Sequence, residues 1–172
     1  AGNESRNRVL INAGERNFRK DTLNISDRFL DGKEDVFKEL IPDAASNLER
    51  YIRINNEVRL SNEQTLLEVG RNTAPTILWS GSFKRLPGSA SRASFGDQRT
   101  YMHNGTKIDE QTHMGQDLAS VAHAPVPAAN DGKVVFAEPL GIFGNLVIID
   151  HGLGLQSLYS HMSEIQTSVG AS

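Results

Sequence analysis

The sequence predicts a mainly β protein in which an antiparallel sheet follows a small region of strand and helix. Short apolar runs alternate with glycine-rich turns after residue 75, whereas Asp43–Val69 contains neither glycine nor proline. At 172 residues and 18.9 kDa, the chain suits one ordinary domain or one small domain with a sizeable attachment. Hydrophobic residues make up 38% and charged residues 23%, a composition typical of globular rather than disordered chains.

Composition also argues against several classes of function. The net charge of -3 and the pI of about 6.0 argue against a broad basic surface that holds nucleic acid. No apolar run approaches the roughly 18 to 20 residues that cross a bilayer, so no membrane span is expected in this chain. The lack of cysteine excludes disulfides, thiolate–zinc sites and cysteine nucleophiles. Because the sequence starts at Ala1 without methionine, we expect a processed or trimmed chain.

The N-terminal region is predicted to contain two short strands and one long helix. The apolar pieces Val9–Ile11 and Thr22–Ile25 are separated by polar residues, which is typical of two strands joined by a turn. The helix is predicted over Asp43–Val69, with Asp43 as its N-cap and Gly70 as its C-terminal stop. Its apolar stripe is loose, so we expect one long or kinked, partly exposed helix that serves as a structural clamp or linker.

The second half of the chain is predicted to form hairpins. Apolar runs alternate there with glycine-rich turns at the spacing of an antiparallel all-β domain. The predicted strands are Thr76–Trp79, Gly132–Ala137, Asn145–Asp150 and Leu155–Ser160. The segment 150–154, which contains two glycines, is predicted to be a turn between the last two.

The histidines are concentrated in this β half, at positions 103, 113, 123, 151 and 161. His113 and Asp117 are four residues apart, a separation that returns both side chains to one side of a strand or helix. Zinc accepts imidazole nitrogen and carboxylate oxygen, and Gly115 between them lets the backbone bend close to a metal. The same spacing is also typical of a surface hydrogen-bonded pair, so it leaves both interpretations open.

Five blocks in a fixed order resemble the lysostaphin-type (LytM-like) zinc endopeptidases, which cut peptidoglycan cross-bridges. The blocks are Ser94–Arg99, His113–Ala119, Pro127–Val135, Gly144–Gly152 and Leu158–Ser163. The resemblance runs from about Ser94 to Ser172, and a looser one covers parts of the N-terminal region. It implies a curved antiparallel sheet, with an N-terminal strand and long-helix region over 1–81 and the peptidase domain over 82–172.

The resemblance also implies a site and a reaction. His113 and Asp117 match two of three protein ligands to a catalytic zinc, and His161 matches a catalytic histidine that lies beside the metal. The implied activity is hydrolysis of peptide cross-links in peptidoglycan through a metal-activated water, with a peptidoglycan peptide as substrate. The implied location is the periplasm or cell envelope, or outside the cell. A non-catalytic homologue that binds peptidoglycan or activates an amidase is the alternative.

The sequence departs from the family pattern at the His-x-His motif, because no histidine follows His161. We therefore expect a truncated chain that binds zinc poorly alone and is completed by a C-terminal fragment. His103, His123 and His151 are the candidates within the chain for the lost ligand. Apart from that, we expect His151 to be structural and His103 to lie exposed in a loop near the cleft mouth, and we assign no role to His123. Arg99 is expected to anchor a loop through its guanidinium group.

Overall fold

The computed structural model describes Gly14 and residues 16–172, so the predicted strand Val9–Ile11 lies outside the described residues. Within that part of the chain, more residues lie in strands than in helices, in agreement with a mainly β class. The strands are β1 Lys20–Asn24, β2 Ala90–Ala93, β3 Gln98–His103, β4 Thr106–Thr112, β5 Asp117–Ala119, β6 Lys133–Pro139, β7 Asn145–Gly152 and β8 Leu155–Met162.

The strands form three sheets, with orders β1-β3-β4, β2-β5 and β6-β7-β8. The pairings are antiparallel except that β1 runs parallel to β3, with Lys20 opposite Gln98. This parallel pair joins segments far apart in sequence, which the expectation of local hairpins did not include. The division of the chain at residue 81 stays a prediction.

The N-terminal region contains more helix than predicted. Two short helices precede the long one, each too short to show a helical repeat of apolar residues. The helices are α1 Asp27–Asp31, α2 Glu34–Leu40, α3 Asn47–Arg53 and α4 Arg59–Arg71. A π-helical turn, Ile54–Val58, connects α3 to α4, so the expectation of one long or kinked helix is confirmed.

Both predicted ends of the long helix were wrong. Ser46, not Asp43, caps α3, because its hydroxyl accepts a hydrogen bond from the backbone N–H of Glu49. Asp43 instead pairs with Arg53 at 3.0 Å. The helix continues through Gly70 to Arg71, since a single glycine costs only about 1 kcal/mol in a helix that tertiary packing supports.

The first core lies between the N-terminal helices and the β1-β3-β4 sheet. Tyr51 of α3 is at its centre, with ring-centroid distances of 6.1 Å to Phe29, 6.1 Å to Phe37 and 6.0 Å to Tyr101 of β3. Burial raises the pKa of Tyr51 to about 12, although the neighbouring amide side chain of Asn55 opposes this effect. The helices are thereby fixed to the sheet whose strands β3 and β4 lead into the candidate site.

The second core surrounds β7, the central strand of the β6-β7-β8 sheet. Its side chains alternate between two buried faces, with Val147 and Ile149 on one and Leu146 and Ile148 on the other. α4 covers the second of these faces with Leu66 and Val69. A strand covered on both faces has a continuous apolar sequence, which explains why this strand was predicted correctly.

The predicted strand Thr76–Trp79 was wrong. This segment crosses the end of β7 as irregular chain, and Leu78 donates one backbone hydrogen bond of 2.9 Å to His151. The carbonyl oxygen of Thr76 lies directly against Gly152. With a second backbone hydrogen bond, from the N–H of Leu153 to the carbonyl of Ala74 at 2.8 Å, this contact attaches the segment to the end of β7 without forming a strand. Among the helices of residues 16–172, none has both the length and the apolar character needed to cross a membrane.

Candidate functional site

His113 follows β4 and is held by the turn that precedes β3. Its backbone N–H donates to the carbonyl of Asp97 at 2.8 Å, and its carbonyl accepts from the N–H of Gly96 at 2.8 Å. Its ring Nδ1 lies 3.0 Å from the carbonyl oxygen of Ser94. A carbonyl oxygen only accepts, so Nδ1 carries the proton, and in the neutral ring Nε2 then presents a lone pair.

Asp117, the first residue of β5, meets His113 at that nitrogen. Its Oδ1 lies 3.1 Å from His113 Nε2. Zinc bonds of 2.0 to 2.2 Å in a tetrahedron place neighbouring ligand atoms about 3.3 to 3.6 Å apart, slightly farther than these two atoms are. The two side chains therefore fit two adjacent ligand positions of one zinc ion, and the Ser94 carbonyl provides the outer hydrogen bond that metal-binding imidazoles usually have.

Arg99 contacts the other oxygen of the same carboxylate. Its guanidinium donates to Asp117 Oδ2 at 3.1 Å. Burial by itself lowers the pKa of Arg99, but the hydrogen bond and charge of Asp117, together with Tyr101, raise it above the usual value. Arg99 was predicted to anchor a loop; in the structure this β3 residue holds the carboxylate of Asp117, the first residue of β5.

The Ser94–Asp97 turn is itself fixed by Asp97, a buried residue to which the sequence analysis gave no role. Its Oδ2 accepts from the backbone N–H of Ser94 at 3.0 Å and from Arg19 at 3.0 Å. These donors keep the pKa of Asp97 below its usual range, against the effect of burial. The sequence signal for such a turn is an aspartate three residues after a serine, with Gly96 between them at a φ of 87°.

His161 lies in a different sheet from this pair. It is the second-last residue of β8, its side chain is exposed, and its φ of 59° places it in the left-handed region. Non-glycine residues rarely adopt this region, and such residues cluster at functional sites. The structure brings His113 and Asp117 together; no hydrogen bond or ion pair of the described residues joins either of them to His161.

The remaining histidines differ from one another in their surroundings. His151 is fully buried, with Nδ1 2.6 Å from the carbonyl oxygen of Asp131 and Nε2 2.7 Å from the hydroxyl of Ser157. This agrees with the structural role expected of it, although the residue lies in β7 and not in a turn. His103 was wrongly expected to be exposed: it ends β3, and its Nδ1 lies 2.8 Å from the carbonyl oxygen of Ile25. His123 is exposed and has a φ of 58°.

No further ligand joins the His113–Asp117 pair in the part of the chain that the structure describes. In that part, no group of three or more His, Cys, Asp or Glu side chains is arranged to hold a metal ion. His103, His123 and His151, the alternatives considered for a lost ligand, therefore do not form such a group with the pair.

Comparison with known proteins assigns the second half of the β region to a family. Peptidase family M23 matches residues 111–172. This region is therefore similar to peptidase family M23. It contains His113, Asp117 and His161, whereas the residues that hold the pair, Ser94 and Arg99, precede it. The M23 region is thus supported by side chains and backbone from outside its own boundaries.

Two relatives of the M23 region are proteins named DD-carboxypeptidase/endopeptidase Mpg. One is from Neisseria meningitidis serogroup B and the other from Neisseria gonorrhoeae, and each is 38% identical over 58 residues. The aligned stretch covers 34% of this chain and 14% of each relative. This similarity and the family match together support assignment to the M23 (LytM-type) peptidases.

Proposed function

We propose that this chain is part of a zinc-dependent endopeptidase that hydrolyses peptide cross-links of peptidoglycan. The observation that carries the proposal is the 3.1 Å separation between His113 Nε2 and Asp117 Oδ1. Each side chain is also held from outside, one by Ser94 and the other by Arg99. The similarity to family M23 supports the peptidase activity, and the Neisseria relatives are named as DD-carboxypeptidase/endopeptidases.

Each residue of the pair has a definite task in this proposal. His113 donates through Nδ1 to Ser94, which leaves Nε2 as a neutral donor atom for zinc. Asp117 supplies one carboxylate oxygen and its negative charge, while Arg99 restrains the other oxygen. Zinc, when bound, supplies Lewis-acid polarisation of a carbonyl group and a water whose pKa is near 7.

We assign to His161 the transfer of a proton, or a hydrogen bond to the oxyanion that develops on the scissile carbonyl. Its exposure leaves the imidazole accessible, and its left-handed backbone is typical of residues held in place for function. This assignment also depends on the resemblance of the block around it, Leu158–Ser163, to the lysostaphin-type enzymes.

The proposal requires at least one further zinc ligand, because structural and catalytic zinc sites use three or four protein ligands. We propose that a C-terminal segment of the same or another polypeptide supplies it and completes the domain. The substrate would be a peptidoglycan peptide, and the place of action the periplasm, the cell envelope or the exterior of the cell.

Zinc analysis of the protein isolated from its source, with its intact mass, tests this function. We expect about one zinc per chain and release of cleaved peptides from purified peptidoglycan. The His113→Ala and Asp117→Asn variants should lose the bound zinc and the cleavage of peptidoglycan. The matched controls His123→Gln and Asp35→Asn, which change exposed residues, should keep the zinc and the cleavage. A folded, zinc-free protein that binds peptidoglycan without cleaving it would overturn the proposal and support the binding or amidase-activating alternative.

A further inference from the structure

A cavity of about 370 Å³ lies beside the candidate metal site. Its described walls come from two segments that are distant in sequence, 16–19 and 91–97. The first segment is attached to β3 because the N–H of Gln98 donates to the carbonyl of Arg19 at 2.8 Å. Phe18 of the same segment packs against the turn before β3. Its ring is so close to Gly96 that a Cβ atom added there would lie 2.1 Å from it.

Three arginines and one carboxylate, that of Asp97, line the cavity, and two of the arginines make it cationic. The third, Arg19, is neutralised, because it pairs with Asp97 at 3.0 Å and with Asp21 at 2.6 Å. Arg16 and Arg92 also line the cavity, and neither has a carboxylate partner among the described ion pairs. The guanidinium carbon of Arg16 lies 5.4 Å from the ring centroid of Phe18, a cation–π contact that restrains the group without neutralising it.

The cavity shares a wall with the His113–Asp117 pair. Ser94 lines the cavity, and its carbonyl oxygen accepts the hydrogen bond from His113 Nδ1. Ser91 lines it too, and its hydroxyl accepts a hydrogen bond of 3.3 Å from Gln116, the neighbour of Asp117. The cavity therefore adjoins residues that contact or neighbour both members of the pair.

We propose that this cavity binds a carboxylate group of the peptide substrate, with Arg16 and Arg92 as its partners. This inference rests on the proposed function and adds a specificity for acidic peptides to it. A guanidinium group presents parallel N–H donors that match the two oxygens of a carboxylate. The exposed ring of Phe95 provides an apolar wall for the rest of the peptide residue, and Asn17 provides an amide for its backbone.

A binding experiment with two peptides of the same sequence tests the inference independently of hydrolysis. One peptide carries free carboxylates and the other has them amidated, and calorimetry measures the affinity of the protein for each. We expect the free-carboxylate peptide to bind about tenfold more tightly, as one charge-assisted hydrogen bond predicts. Arg92→Gln and Arg16→Gln should each remove most of that difference. Arg71→Gln, which removes the same charge from an exposed position at the end of α4, should leave it unchanged.

The outcomes separate this inference from the proposed function. Equal binding of both peptides to the wild-type protein, or a preference unchanged in the Arg16→Gln and Arg92→Gln variants, overturns the carboxylate site even if peptidoglycan is cleaved. Displacement of the peptide by inorganic phosphate at equal concentration also overturns it, because the cavity would then be a general anion site. The protein could also prefer the free-carboxylate peptide through these arginines but show no hydrolytic activity. That result would support the carboxylate site and contradict only the proposed peptidase activity.

Discussion

Arg99 and His113 contact opposite oxygens of one carboxylate, that of Asp117. Arg99 donates to Oδ2 at 3.1 Å, and His113 Nε2 lies 3.1 Å from Oδ1. About half of the Asp117 side chain is exposed, so its own packing does not fix its rotamer. The guanidinium group therefore keeps Oδ1 turned toward the imidazole, and it contributes to the site without being a ligand.

Replacing Arg99 should weaken zinc binding while leaving the fold intact. In Arg99→Gln, Asp117 loses the donor to Oδ2 and becomes free to rotate away from His113. Loss of such an outer partner typically costs about 10- to 100-fold in metal affinity. Zinc titration of the protein at its native length measures the change. Arg53→Gln, which removes an arginine that pairs with Asp43 and Glu57 on the helical side, is the control. Equal zinc affinity in both variants would contradict a positioning role for Arg99.

The His113–Asp117 pair shows which part of the candidate site could be predicted from the sequence alone. The four-residue spacing of His113 and Asp117 predicted that they could converge, and the structure brings them within 3.1 Å. The partner of Arg99 could not be predicted, because Arg99 lies in the β1-β3-β4 sheet and Asp117 in the β2-β5 sheet. Local periodicity gives no information about which sheets lie side by side.

The fold was predictable where the local pattern agrees with the final packing. β7 is buried on both faces, so its apolar run identified it. The segment Thr76–Trp79 has a similar composition, but it reaches only the last residues of β7, to which Leu78 donates one backbone hydrogen bond, so no ladder of hydrogen bonds forms. β1 was predicted as a strand, but its parallel pairing with β3 could not be predicted, because β3 follows the helical region and is far from β1 in sequence.

Acid should weaken the attachment of the segment after α4 to β7. Burial by itself raises the pKa of Asp150, but hydrogen bonds from Thr73, Ala74 and Gly152 outweigh this effect and lower it. Because the pKa in the folded state is below that in the unfolded state, the stabilisation is present above about pH 4. It is lost as the pH falls through the lower, folded-state pKa.

Asp150→Asn tests this pH dependence. The amide places N–H donors against backbone N–H groups that need an acceptor, so we expect a loss of about 2 kcal/mol at pH 7. Urea unfolding at several pH values should show that the difference from wild type shrinks below about pH 4, where Asp150 of the unfolded wild-type chain becomes protonated, and continues to shrink down to the lower, folded-state pKa. Asp35→Asn, at an exposed position, should differ from wild type by only a few tenths of a kcal/mol. A constant difference at all pH values would contradict the assignment.

Two glycines at the β7–β8 turn separate backbone strain from steric contact. Gly152 and Gly154 have similar φ angles, 87° and 82°. A Cβ atom added to Gly152 would lie 1.9 Å from the carbonyl oxygen of Thr76. A Cβ atom added to Gly154 would have no atom within 4 Å. Gly154→Ala should therefore cost about 1 to 2 kcal/mol from the left-handed backbone alone. Gly152→Ala should cost at least about 3 kcal/mol, because backbone must also move. If urea unfolding shows the same loss of unfolding free energy for both variants, the backbone at Thr76 moves away from the added Cβ at little cost.

Replacing His161 should abolish activity without lowering stability, as expected of a functional residue with a strained backbone. Its φ of 59° costs about 1 to 2 kcal/mol for a side chain with a Cβ, and glycine removes this cost. Glycine also has a more flexible unfolded state, which costs roughly 0.5 to 1 kcal/mol. We therefore expect His161→Gly to be as stable as wild type or up to about 1.5 kcal/mol more stable, while hydrolysis of peptidoglycan is lost.

The neighbouring residue provides the control for His161→Gly. Ser160 is also exposed in β8 but has no left-handed backbone, so Ser160→Gly should lose roughly 0.5 to 1 kcal/mol and keep its activity. Urea unfolding and peptide release from peptidoglycan, measured on both variants, distinguish the two positions. If His161→Gly is destabilised as much as Ser160→Gly, the backbone at 161 stores no strain. If His161→Gly keeps its activity, the imidazole takes no part in the reaction, and the catalytic role would have to be sought in another side chain.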